Sequence, residues 1–213
     1  MTGPHQGQPV GTAGAPLEQA RAAMIMVHGR GASPEDILTL VPARARQGFA
    51  YLAPAAAGGP WYPYTFLSPT EANEPGISSG LQAVGDLLGR VEAAGIPPER
   101  TLLLGFSQGA CLALEFAARN PARYGGIAGL SGGLIGPDTV LRDYPGSLDG
   151  TPVFLGCSDS DFHIPKERVE LTGQVLGRMG AQVDLRLYPR MGHLVNEDEI
   201  RQVQRLMDAA LTG

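Results

Sequence analysis

Thr101-Leu102-Leu103-Leu104-Gly105-Phe106-Ser107-Gln108-Gly109-Ala110 is the stretch that decides the fold. An apolar run of strand type enters it, and a helix-like stretch from Ala110 to Arg119 leaves it. Between them stands Gly-x-Ser-x-Gly, the pattern of a tight strand-to-helix turn that pushes a serine hydroxyl into the open. Glycines two residues either side leave room for strand and helix to approach each other. A glycine-rich connection with an idle serine gives the same five letters. The strand before it and the helix after it favour a nucleophile.

Working outward, Ala22-Ala23-Met24-Ile25-Met26-Val27 reads as a strand without apolar–polar alternation, as expected for one buried on both faces. Further strands are read at Phe49–Ala53, Thr101–Gly105, Gly126–Leu130, Pro152–Gly156 and Val183–Tyr188. Helical spacing runs through Ile77–Ala94, Ala110–Arg119, Lys166–Met179 and Asn196–Leu211, and Ser33-Pro34-Glu35-Asp36 is a helix start. Strands thus alternate with helices from Ala22 onward. The expected class is α/β, with a mostly parallel sheet, helices on both faces and no insertion large enough for a separate lid. Residues 1–20, polar and rich in Gly and Pro, are expected to be a flexible or partly ordered segment before one domain over 21–213.

Composition removes several function classes. The 213 residues carry a net charge of −5, which leaves nothing to neutralise nucleic-acid phosphates. No stretch approaches the ~20 apolar residues of a membrane span, so no integral membrane association is expected. Met1 to Gln19 shows neither a basic n-region nor an apolar h-region, which makes a cytoplasmic location the default. Cys111 and Cys157 are too few for a disulfide framework and read as buried thiols.

A serine hydroxyl needs a base to take its proton, and the base needs a carboxylate to orient it. In open α/β sheets such groups gather at the carboxyl ends of strands. Pro152–Gly156 leads into Ser158-Asp159-Ser160-Asp161, and Val183–Tyr188 leads into Met191-Gly192-His193. The chain order Ser, Asp, His is the one this fold class uses. Of the four histidines, His193 has the right place. His5 lies in the N-terminal segment, His28 ends the first strand, and His163 shares a loop with the acids. Position alone leaves Asp159 and Asp161 level. A metal site at Asp159-Ser160-Asp161-Phe162-His163 lacks a further cluster to complete it.

An oxyanion hole requires two backbone N–H groups. Gln108, after the nucleophile, supplies one. Arg30 in His28-Gly29-Arg30-Gly31-Ala32 supplies the other, its guanidinium left free to steer an acidic or polar substrate group. Trp61, Tyr62, Phe66 and Phe162 are candidates for an apolar acyl pocket, or else anchors of the long loop 55–73. His163 is expected on the leaving-group side.

At these residues the chain resembles the phospholipase/carboxylesterase family of small α/β-hydrolases, which includes acyl-protein thioesterases. The matching blocks are His28-Gly29-Arg30-Gly31, Gly105-Phe106-Ser107-Gln108-Gly109, Asp161-Phe162-His163-Ile164-Pro165 and Met191-Gly192-His193. The resemblance implies Asp161 as the acid and Arg30 and Gln108 as oxyanion donors. It also implies a small-molecule ester or thioester substrate, no cofactor, and often a homodimer. Arg30 stands where the family usually carries Leu, and His163 where an apolar residue is commoner. The expected activity is ester hydrolysis through an acyl-enzyme on Ser107. Thioesterase or lysophospholipase action is the alternative on the same residues, and a non-catalytic binding module is the alternative from another class.

Overall fold

The computed structural model describes residues 3–40, 47–139 and 142–212. Its described elements run β1 (Val10–Gly14), β2 (Ala22–Val27), α1 (Pro34–Leu38), β3 (Phe49–Pro54), α2 (Gly76–Ala93), β4 (Thr101–Phe106), α3 (Gln108–Arg119), β5 (Gly126–Leu130), β6 (Pro152–Ser158), α4 (Lys166–Arg178), β7 (Gln182–Tyr188) and α5 (Glu197–Thr212). The strands form one sheet of order β1-β3-β2-β4-β5-β6-β7. All pairings are parallel except β1 with β3.

Period-2 alternation divides the strand side chains between two cores. Ala23, Ile25, Val27, Leu103, Ile127 and Leu155 pack with residues of α2, α3 and α4. Met24, Met26, Leu102, Leu104, Ala128 and Phe154 face the other way, against Ile37 of α1 and Val203 and Met207 of α5. Every residue of β2, β3 and β5 is therefore buried, which is why these strands read as unbroken apolar runs.

The sequence reading begins the sheet at Ala22, but the structure begins it earlier. Val10–Gly14 pairs antiparallel with β3, from Val10 opposite Pro54 to Gly14 opposite Ala50. Its five residues, Val-Gly-Thr-Ala-Gly, are half exposed at a sheet edge, so they carry no strong apolar pattern. Gly11 is fitted to its place: a Cβ there would press within 2.8 Å of the Pro34 ring on α1.

Two buried charges hold the glycine-rich loop after β5. Arg168 Nη1 donates to the carbonyls of Leu134 and Gly136 at 2.7 Å each, and Glu115 Oε2 accepts from Ile135 N at 3.0 Å. The Arg168 guanidinium also lies 5.6 Å from the Phe66 ring, which ties this loop to the one after β3.

Candidate active site

The central strand β4 ends at Phe106, and Ser107 follows with φ 55° and ψ −122° as the residue preceding α3. This is a sparsely populated conformation for a side chain with a Cβ, and holding it costs about 1–3 kcal/mol. The neighbours impose it. Ser107 N donates to Leu130 O at 2.9 Å, and Ser107 O accepts from Cys111 N at 3.1 Å. The flanking glycines have a steric reason here. A Cβ on Gly105 would collide with the Gly109 carbonyl, and one on Gly109 with the carbonyls of Val27 and His28.

Three strand ends bring Ser107, Asp161 and His193 together. His193 Nδ1 lies 2.6 Å from Asp161 Oδ2, and Nε2 lies 2.8 Å from Ser107 Oγ. A carboxylate only accepts, so Nδ1 carries the proton and Nε2 accepts from the Ser107 hydroxyl. The other oxygen of Asp161 accepts the backbone N–H groups of His163 at 2.8 Å and Ile164 at 3.1 Å. Burial pushes the Asp161 carboxyl up, but the bonds from His193, His163 and Ile164 outweigh it, so the pKa falls below its ordinary value. Phe106 stacks against the His193 ring at 5.0 Å between centroids.

The two acids that position leaves level have different partners. Asp159 Oδ1 accepts from Arg190 N at 2.8 Å, and Ser158 Oγ accepts from Gly192 N at 3.1 Å. These bonds fasten the loop that carries His193, while Asp161 meets the imidazole itself. Among the described residues, no group of three or more His, Cys, Asp and Glu is placed to hold a metal ion.

The side chains of Arg30 and Gln108 both bond to the loop after β3. Gln108 is the first residue of α3, where helix N–H groups have no partner four residues back. Its side chain is buried and spent on the loop: Oε1 accepts from Trp61 N at 2.8 Å, and Nε2 donates to Tyr62 O at 2.9 Å. The Arg30 guanidinium is not free, as the sequence suggested. It donates to Pro63 O at 2.9 Å and Tyr64 O at 2.5 Å, so the carbonyls of the loop after β3 clamp it.

Two further histidines, His28 and His5, brace the loop after β3. His28 donates from Nδ1 to Gly29 O at 2.8 Å and accepts Ala56 N at Nε2, 3.1 Å away. His5 accepts Ala57 N at Nδ1, 3.0 Å away, and its Nε2 lies 2.8 Å from Trp61 O. Both rings flank Trp61, with centroids 5.1 and 5.0 Å from it. Burial holds both imidazoles below their ordinary pKa. His5 was invisible as a site residue, because its partners lie more than fifty positions away and no local pattern announces them.

A cleft of about 490 Å³ opens at Ser107, lined by Arg30, Tyr62, Phe66, Cys111, His163 and His193 among others. Trp61 lies outside it. Its side chain is fully buried, and Nε1 donates to His28 O at 2.9 Å. Phe162 lies outside it too, 83% exposed, with its ring against His163. An aromatic-rich loop reads alike whether its rings line a site or anchor the backbone. His163 stacks edge-on to His193 at 4.9 Å. Burial pushes both thiols, Cys111 and Cys157, up to about 12, so neither is a thiolate near neutral pH.

No helix among the described residues is long and apolar enough to cross a membrane. The sequence profile of the phospholipase/carboxylesterase family matches residues 13–211. The crystal structure of a phospholipase/carboxylesterase from Dyadobacter fermentans superposes with a TM-score of 0.90 at 39% identity, covering 95% of this chain and 97% of that one. Carboxylesterase SOBER1 of Arabidopsis thaliana is 24% identical over 213 residues, 91% of this chain and 92% of that protein. Acyl-protein thioesterase 1 of Gibberella zeae is 32% identical over 135 residues, which spans 62% of this chain and 57% of that protein. The chain belongs to the phospholipase/carboxylesterase family, a carboxylesterase-type hydrolase on the α/β-hydrolase fold.

Proposed function

We propose that the chain hydrolyses carboxylic esters through an acyl-enzyme on Ser107. The observation that carries this reading is the continuous hydrogen-bonded line from Asp161 through His193 to Ser107, with 2.6 and 2.8 Å separations. Ser107 Oγ attacks the carbonyl carbon as its proton passes to His193 Nε2. The negative charge that develops on the carbonyl oxygen is met by the backbone N–H groups of Arg30 and Gln108. His193 then gives the proton to the leaving oxygen, and the carbon–oxygen bond of the ester breaks. Water attacks the acyl-enzyme, loses its proton to His193, and frees the acid as Ser107 regains its hydrogen. Asp161 holds the tautomer and stabilises the imidazolium in both halves.

Tyr62, Phe66 and His163 contact substrate in the 490 Å³ cleft, alongside Arg30. Trp61 acts at one remove by fixing the backbone that carries Tyr62. The family includes relatives named for thioesters, and the same steps serve a thioester with a thiol as leaving group. Hydrolysis of p-nitrophenyl acetate tests the reading. Ser107→Ala and His193→Ala should each lower kcat by at least about a thousandfold. A folded Ser107→Ala protein with undiminished turnover would overturn it.

A further inference from the structure

A second cleft, about 440 Å³, is lined by His193 but not by Ser107 or Gln108. It lies between α1 and the segment after His193, and Gly29, Ala32, Phe106 and His193 are common to both clefts. Its remaining walls are mostly apolar: Ile37 and Leu40 on one side, Leu194 and Val195 on the other. Leu194 is 49% exposed there, which is unusual for a large apolar side chain in this protein.

We propose that this second cleft receives the leaving group, and that the group is an uncharged, apolar alcohol or thiol. The inference rests on the acyl-enzyme reading above. In that reaction the acyl carbon becomes bonded to Ser107 Oγ, so the acyl chain stays in the cleft that contains Ser107. The leaving oxygen or sulfur takes its proton from His193 Nε2, so its substituent must run along the imidazole. The second cleft shares His193 with the first, and its other walls come from α1 and the segment after His193 rather than from Ser107.

The walls decide the chemical class. His28 borders this cleft, but both its ring nitrogens are engaged, with Gly29 O and Ala56 N, so it offers a ligand no free donor. Among the described residues that line this cleft, Asp36 is the one charged side chain, and its Oδ2 accepts Ser33 N at 2.8 Å. A carboxylate there disfavours a phosphate-bearing alcohol. What remains among the described lining residues is mostly apolar surface, which rewards methylene groups. The leaving group therefore lies away from His163, the side on which the sequence placed it.

Two ester series separate the arms: acetates of methanol through hexanol, and methyl esters of acetic through hexanoic acid. In Leu194→Ser and in Leu40→Ser, the hexyl-to-methyl ratio of kcat/KM among acetates should fall at least about fivefold. The hexanoate-to-acetate ratio among methyl esters should move less than about twofold in the same variants. Two variants at opposite walls keep the test alive if one misfolds. An unmoved alcohol ratio in both, or a larger shift in the acyl ratio, would overturn the inference. So would an alcohol ratio that responds to His163→Ala and not to either leucine. If the unaltered chain turned over none of these esters, the proposed function itself would fall, an outcome distinct from short esters turned over with unchanged ratios.

Discussion

Asp161 holds His193 at 2.6 Å with one carboxylate oxygen, while its other oxygen is held by the backbone N–H groups of His163 and Ile164. The imidazole is thus oriented by a group that is itself fixed. Asp159, two residues earlier, instead takes Arg190 N and holds the loop.

This division separates two conservative changes. Asp161→Asn puts an amide where only an acceptor serves, and favours the wrong imidazole tautomer. Its kcat should fall by about ten-thousandfold with melting temperature little changed. Asp159→Asn keeps an acceptor oxygen for Arg190 N and should fall by less than about tenfold. Steady-state kinetics on both variants checks the assignment, and equal losses would contradict it.

Strain at Ser107 gives a stability prediction independent of turnover. With φ at 55° and ψ at −122°, glycine suits the position better than any residue with a Cβ. Ser107→Gly should be more stable than Ser107→Ala by about 1 kcal/mol, after allowing for glycine's freer unfolded chain. Denaturant unfolding of the two inactive variants measures the difference directly. Equal stabilities would mean that the elbow is not strained.

Glu199 should make stability fall as pH rises. It is wholly buried at the start of α5, where Oε2 accepts Asn196 N at 2.8 Å, and its carboxyl is pushed up from 4.5 to about 7, chiefly by burial. Its pKa is higher folded than unfolded. The native state therefore holds the proton more tightly, and this favourable contribution is full below pH 4.5 and lost as pH rises through about 7. The shift corresponds to as much as about 3 kcal/mol. Asp161 acts oppositely, losing its contribution as pH falls through its lowered pKa. Glu199→Gln removes only the first effect. Its stability relative to the unaltered chain should rise by about 2–3 kcal/mol between pH 5 and pH 8. Parallel stability curves for the two proteins would refute this.

Much of the architecture was legible because its causes are local. Strands buried on both faces must be apolar throughout, so β2 and β3 announce themselves. The strand-end positions of Ser107, Asp161 and His193 follow from where glycines and acids interrupt those runs. What the chain does not display is long-range or ambiguous. The edge strand Val10–Gly14 has too little buried surface to leave a pattern. Asp159 and Asp161 sit in one turn, so position alone does not choose between them; the family resemblance points to Asp161, and Asp161 is the one that meets the His193 imidazole. The Gln108 brace to Trp61 and Tyr62 and the His5 contact to Trp61 O join residues 46 to 56 positions apart. Trp61 could be read as pocket or as anchor until its burial was seen, and the Arg30 guanidinium looked free because its carbonyl partners lie on another loop.

Covalent labelling tests the central claim, that Ser107 is the nucleophile activated by His193. A fluorophosphonate incubated with the folded protein should add one phosphonyl group by intact mass, mapped to the peptide containing Ser107. Ser107→Ala should take up none, and His193→Ala should react at least about a thousandfold more slowly. An adduct that persists in Ser107→Ala, or a folded unaltered chain that stays unlabelled, would contradict the account.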